Sequence, residues 1–324
     1  MKTVTSTDRA AAVELLRKGE LVALPTETVY GLAADALNSI AVAKIFEVKE
    51  RPRFNPLIVH LPNSDWLERI VDVPAVDRQL IGRLADKFWP GPLTIVLPKR
   101  EIVPDMVTAG LATVAVRISA HQMFSEIVGE LDKPLAAPSA NRFGRVSPTT
   151  AQHVLEELDG RISLIVDAGA SEHGIESTIV AVRGGRIAVL RRGPITSEHL
   201  SAFADVVRAP ETDKISSPGQ LTSHYAPRTP LRLLDETDSF SPERNQRVGL
   251  LAWSSRRTGA RRSLNFAAIR NLSDRGDLRE AAANLFHYIR ELDALGLDLI
   301  VAERVPSRGL GAAIMDRLER ASHR

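Results

Sequence analysis

The sequence predicts an α/β protein: a twisted mixed sheet flanked by helices, followed by a smaller α/β unit. Three observations carry that prediction. Apolar runs of strand length recur between longer segments whose apolar residues fall at helical spacing. The two kinds intermix without strict β-α-β alternation, which favours a mixed sheet over a wholly parallel one. Residues 206–230, "VVRAPETDKISSPGQLTSHYAPRTP", break the rhythm with proline, serine and charge, and read as a linker. Domains are therefore expected at 1–205 and 231–324, with 206–230 between them.

Each element has its own signal. Residues 7–18 form an amphipathic pattern stopped by Gly19, and "LVAL" (21–24) follows as a buried strand. Asn38 or Ser39 suits the cap of a helix running to about Lys49. "LIVHL" (57–61) is a strand, and 74–89 is a helix ended by "PGP". "LTIVLP" (93–98) and "TVAVRIS" (113–119) are strands, and a helix near 121–130 leads to the short strand "PLAAP" (134–138). Ser147 and Pro148 read as the cap and first turn of a helix reaching about Leu158. "ISLIVDAG", "STIVAV" and "RIAVLRRG" complete the strands of the first domain. Beyond the linker, "LRLL", "RVGLLAW", "LNFAAI" and "LDLIVAE" read as strands, and 277–295 is a strong amphipathic helix.

Composition removes several classes of chemistry. The 324 residues are 44% hydrophobic and 25% charged, which is globular. No apolar run approaches the roughly 18 residues of a membrane helix, and the polar N-terminus does not read as a signal peptide. The chain has no cysteine, so disulfides, thiolate zinc sites and a cysteine nucleophile are excluded, and a cytoplasmic location is expected. Net charge is +2, and residues 1–205 hold 23 Lys and Arg against 25 Asp and Glu, so bulk charge does not point the first domain at nucleic acid. G-x-x-x-x-G-K-[ST], G-x-S-x-G and H-E-x-x-H are all absent, and "GLGAAI" (309–314) reads as a turn and helix start.

What remains is polar residues gathered at strand ends and loop starts. "PTETVYGLAADA" (25–36) sets Thr26, Glu27, Thr28 and Tyr30 just past a strand. Lys49 and Arg51 follow, and Pro52 pushes Arg51 out of the helical region, so the two side chains can converge. They read equally as a helix end whose cations complement the dipole. Asn55 precedes the strand carrying His60; Arg117 ends another; Ser139 and Asn141 follow a third; Ser177 opens "STIVAV" and Arg191 closes "RIAVLR". Such positions are where open α/β sheets bind ligands. Cations with hydroxyls and loop amides can cradle a polyphosphate or a carboxylate without a P-loop. The hydroxyls and the carboxylate suit a small zwitterion or a metal.

In order along the chain, "PTETVYGLAADA", "KERPRFNPLIVH", "WPGPLTIVL", "VTAGLATVAVR", "AAPSAN", "SPTTA", "GIESTIV", "LRRGPI" and "HYAP" resemble the YrdC-like L-threonylcarbamoyladenylate synthases, in the long form with an additional C-terminal domain. The resemblance covers nearly the whole chain. One departure is Gln220 in "PGQLTSHYAP", where the linker commonly reads P-G-M.

The resemblance implies an enzyme that makes L-threonylcarbamoyladenylate from L-threonine, bicarbonate or CO2, and ATP, with Mg2+, releasing pyrophosphate. The product serves partner proteins that modify tRNA. Nucleotide contacts would fall on Lys49, Arg51, Asn55, Thr113, Ser139, Asn141, Ser147, Arg191 and Tyr225. Threonine contacts would fall on Thr28, His60, Arg117, Ala137 and Ser177. Catalysis would be positioning and charge neutralisation by Lys49 and Arg51, with no protein nucleophile. A carbamate loses CO2 in water, so a closed cavity is expected, and a linker stiffened by Pro218 and Pro227 would bring His224 and Tyr225 over it as a lid. A double-stranded-RNA-binding module is the alternative, opposed by the net acidic first domain. A hydrogenase-maturation carbamoyltransferase is opposed by the absence of cysteine.

Overall fold

The computed structural model describes residues 2–208, 225–235, 240, 242–254 and 265–323. Pro218, Gln220 and His224 of the expected lid therefore lie outside the described residues. Two compact units are present. The first comprises 1–143, 148–172 and 176–220; the second comprises 144–147, 173–175 and 221–324.

The first unit runs β1 (Val4–Ser6), α1 (Arg9–Arg17), β2 (Val22–Leu24), β3 (Gly31–Asp35), α2 (Ser39–Lys49) and β4 (Ile58–His60). A single 3-10 turn then leads into α3 (Leu67–Ile70), followed by α4 (Arg78–Phe88), β5 (Leu93–Pro98), α5 (Asp105–Thr108), β6 (Thr113–Arg117), α6 (Gln122–Leu131) and β7 (Leu135–Ala136). It closes with α7 (Ala151–Leu158), β8 (Leu164–Val166), β9 (Thr178–Arg183), β10 (Arg186–Arg191), α8 (Ser197–Ser201) and β11 (Val206–Arg208). The strands form one mixed sheet in the order β1-β8-β2-β3-β7-β4-β6-β5-β9-β10-β11.

Side-chain alternation divides this sheet into two faces. On one face Ala23, Leu32 and Ala34 pack with Ile45 and Phe46 of α2 and with Ile81 and Leu84 of α4. On the other, Val22, Leu24 and Ala33 pack with Leu16 of α1 and with Phe124 and Ile127 of α6. Burial on both faces explains why "LVAL" and "GLAAD" show no polar alternation. Further along the second face, Ile58, Val96, Ala115, Ile179 and Ala181 form a separate small cluster made of strand residues.

Several local expectations are corrected. β3 pairs antiparallel with β2, so the strand end at "PTETVY" is the loop of a hairpin. The helix expected from Ser147 starts at Ala151, because Thr150 is its cap and accepts from the His153 amide. Pro148 and Thr149 are held in the loop instead, their carbonyls accepting from the amides of Tyr30 and Ser171. The helix expected from residue 74 starts at Arg78, after a turn closed by Asp77 N–H donating to Pro74 O. Val206–Arg208, read as linker, pairs parallel with β10.

In the second unit β12 (Leu231–Leu233), β13 (Val248–Ala252), β14 (Ala268–Asn271), α9 (Leu278–Asp293), β15 (Leu299–Ala302) and α10 (Gly311–Ser322) build a parallel sheet in the order β12-β15-β13-β14. Tyr225 is buried within this unit. It adopts a left-handed φ of 66°, stacks on Phe286 at 5.3 Å and lies under the Arg317 guanidinium. Ser147 belongs to the same unit and is fully buried.

Asn38 caps α2, its side-chain oxygen accepting from the amides of Ile40 and Ala41. Asn38→Ala is expected to lower unfolding free energy by about 1 kcal/mol, read by chemical denaturation, with ligand binding unchanged.

Candidate active site

Register places several of the expected site residues on one face. Ile58 pairs with Ala115 and His60 with Arg117, so Thr113, Ala115 and Arg117 on β6 share a face with Ile58 and His60 on β4. Val96 pairs with Ala115, and Thr94 with Ile179, which adds β5 and β9 to that face. His60 also pairs with Leu135, so Ala137, two residues on, joins them. This is the face of the small strand-only cluster. As expected, Thr113 begins β6 and Asn55 precedes β4. His60 and Arg117 lie at the opposite ends of those same strands.

Arg191 reaches this face through an irregularity. The β9–β10 register shifts between Val189 and Arg191, setting Arg191 opposite Ile179. A bulge of this kind re-aims a side chain. Arg191 Nε then donates to the Ser177 carbonyl and Nη2 to Ser177 Oγ, both at 3.0 Å, while Ser177 Oγ meets Thr94 Oγ1 at 2.8 Å. Gly193 makes this approach possible. A Cβ there would lie 2.4 Å from the Thr178 amide nitrogen and 2.6 Å from the Glu176 carbonyl.

The β2–β3 loop is closed by hydroxyls. Thr26 Oγ1 accepts from the amides of Thr28 and Val29 and donates to the Val29 carbonyl at 2.6 Å. That uses its only proton, so Thr28 is the donor in the 2.8 Å contact between the two hydroxyls. Thr28 Oγ1 in turn accepts from Arg117 Nη1 at 3.1 Å. Glu27 Oε1 accepts from Arg117 Nη2 at 2.5 Å and Oε2 from Ser119 Oγ at 2.5 Å. Tyr30 serves structure, its hydroxyl donating to the Gly169 carbonyl at 2.7 Å.

The cation cluster follows the end of α2. Glu50 takes a left-handed conformation and turns the chain there. Lys49 Nζ donates to the Ser139 carbonyl at 2.5 Å and to the Asn141 carbonyl, so it clamps the "SAN" loop. Arg51 donates through Nε to the Asn55 carbonyl and through Nη2 to the Pro56 carbonyl. Burial, reinforced by Arg51, pushes the Lys49 amine well below the usual lysine range, while Glu157 pulls the other way. The convergence expected of Lys49 and Arg51 thus comes with each side chain pinned to backbone.

Three buried polar atoms on these elements have no partner among the described residues: Arg117 Nε, His60 Nδ1 and Asn55 Oδ1. Buried polar atoms are rarely left so unless a ligand or water completes them. His60 is neutral, because burial and then the Arg117 charge depress its pKa strongly. Its free ring nitrogen is therefore available as an acceptor or a weak donor. Sequence reading missed the supporting residues Ser119 and Thr94 and the partner of Glu27. Ser119 lies two residues past Arg117, on the same side of an extended chain, which was the available signal.

Comparison with known proteins identifies the family. The family described as "Telomere recombination" matches residues 14–193, and "Threonylcarbamoyl-AMP synthase, C-terminal domain" matches 195–323. Threonylcarbamoyl-AMP synthase of Pyrococcus abyssi is 38% identical over 318 residues, covering 96% of this chain and 93% of that protein. The Bacillus subtilis protein of the same name is 40% identical over 326 residues, covering 97% and 92%. The crystal structure of P. abyssi Sua5 complexed with L-threonine matches with a TM-score of 0.87 and 35% identity, over 99% of this chain and 98% of that one. The chain belongs to the threonylcarbamoyl-AMP synthase family.

Proposed function

We propose that this chain makes L-threonylcarbamoyladenylate from L-threonine, bicarbonate or CO2, and ATP, releasing pyrophosphate. The product is consumed by enzymes that transfer the threonylcarbamoyl group to tRNA, which puts the protein in the cytoplasm. Among the described residues no helix is long and apolar enough to cross a membrane. The observation that carries the reading is three buried atoms without a partner among the described residues: a donor and an imidazole nitrogen on the adjoining strands β6 and β4, and an acceptor in the turn that leads into β4.

Arg117 Nε faces threonine's carboxylate, while His60, Thr28, Ser177 and the Ala137 backbone fix the rest of the amino acid. Lys49, Arg51, Asn55, Thr113, Ser139, Asn141 and Arg191 take the nucleotide. For Ser147 and Tyr225 the nucleotide role rests on the resemblance alone. Threonine's neutral amine adds to CO2, forming an N–C bond and losing a proton to give a carbamate. A carbamate oxygen then attacks the α-phosphorus, and the bond to pyrophosphate breaks. Fixed cations stabilise the charge that builds on the phosphoryl oxygens, and no covalent enzyme intermediate is needed.

The residues do not fit a resident metal: among the described residues no group of three His, Asp or Glu could hold one. Mg2+ enters with the phosphates of ATP, as part of the substrate.

The test is pyrophosphate release by the full chain with ATP. Release should require both threonine and bicarbonate, with the adenylate seen by mass. Equal release without threonine, or ADP as the product, refutes the reading.

A further inference from the structure

The resemblance gives Glu27 no ligand, yet both of its carboxylate oxygens are held beside the site. It is buried and ionised, with one oxygen on Arg117 Nη2 and the other on Ser119 Oγ. We infer that Glu27 is a positioning and specificity residue: it cancels the charge of Arg117, so that the pocket accepts a zwitterionic amino acid and rejects simple anions. The inference rests on the reading that Arg117 takes threonine's carboxylate.

A buried guanidinium without a counter-charge attracts any anion, and the proposed reaction supplies three competitors: bicarbonate, ATP and pyrophosphate. Threonine alone carries no net charge. Pairing Arg117 with Glu27 makes the local sum zero, which removes the advantage of the anions and leaves threonine's two opposite charges to be matched by position. Arg191, which holds Ser177, belongs to the proposed nucleotide contacts, and the histidines nearby do not disturb that balance. His60 is held neutral by burial and Arg117, and burial likewise lowers His121, which sits at the start of α6 beside Glu27.

Geometry supports the second half of the role. Glu27 holds Nη2 and Thr28 holds Nη1, so the guanidinium cannot rotate. Its Nε, buried and without a partner among the described residues, is the edge left for a carboxylate. Ser119 keeps Glu27 from following Arg117 toward a ligand.

The test is a ligand series on the full-length protein by calorimetry: L-threonine, 3-hydroxybutyrate, which keeps the carboxylate without the amine, and L-threoninol, which keeps the amine without the carboxylate. The wild type should prefer threonine to 3-hydroxybutyrate by at least about tenfold. Glu27→Gln should narrow that ratio about tenfold or more and make pyrophosphate a stronger competitor, while Glu27→Asp restores the ratio. A merely structural Glu27 would lose all ligands together with the ratio unchanged, and that result overturns the inference. Should Glu27→Gln not fold, the wild type decides, since equal affinity for threonine and 3-hydroxybutyrate also overturns it. A wild type that binds no threonine sinks the reading of the site itself; selectivity that ignores Glu27 sinks only this inference.

Discussion

Arg117→Ala should lose threonine binding by a hundredfold or more, an estimate of roughly 3 kcal/mol for a truncated buried charge contact. It should also destabilise the protein by roughly 3–5 kcal/mol, because Glu27 is left buried without its cation. The two effects separate by pH. In the wild type burial raises the Glu27 pKa, but Arg117, Ser119 and backbone amides outweigh it, and the net direction is down. A depressed carboxylate contributes stability above its unfolded pKa and loses it as pH falls. Without Arg117 burial dominates, the folded state holds the proton more tightly than the unfolded one, and stability falls as pH rises. The gap between variant and wild type should therefore widen from about pH 4 to pH 7. Denaturation at several pH values checks this, and calorimetry with threonine checks the binding. Unchanged affinity in folded Arg117→Ala would place the carboxylate elsewhere.

Arg117 was legible in the sequence as a charge closing the strand "TVAVR", at the kind of position where open sheets bind ligands. Its partner was not. Glu27 lies ninety residues away in the chain, and only the β2–β3 hairpin and the sheet order bring the two together. β3 was hidden for a related reason. "GLAAD" lacks the β-branched residues that mark strands, and its small side chains answer to packing on both faces, which one sequence does not display. Period-two spacing could have put Thr113 and Arg117 on one face of β6, but which strand lay beside it depended on register. The Arg191 bulge shows the limit most clearly. Strict alternation turns Arg191 away from Ile179, and a local shift returns it. The misplaced start of α7 is a smaller case: Ser-Pro is a sound helix opening, overridden because neighbouring backbone uses the carbonyls of Pro148 and Thr149.

Lys49→Ala should cost the most in turnover, with kcat/KM for pyrophosphate release falling by about a thousandfold, roughly 4 kcal/mol. Two losses combine. The Ser139 and Asn141 carbonyls lose the amine that holds them, at about 1–3 kcal/mol for each group left unsatisfied. The nucleotide site also loses a cation that a developing negative charge on the phosphoryl oxygens would use more than the ground state does. The fall should therefore lie mostly in kcat, with a smaller rise in KM for ATP. A proton count distinguishes the electrostatic role from loop support. Burial and Arg51 hold the Lys49 pKa far below the ordinary lysine value. Phosphates arriving beside the amine favour its charged form, so ATP binding should raise the Lys49 pKa, and at a pH between its free and ATP-bound values the wild type should take up a proton. Calorimetry in buffers of different ionisation enthalpy reads that uptake directly. If folded Lys49→Ala takes up the same proton, the titrating group is another one and Lys49 serves only the loop. If it also keeps wild-type kcat, the nucleotide phosphates do not meet this amine at all, and Arg51 and Arg191 become the cations to remove next.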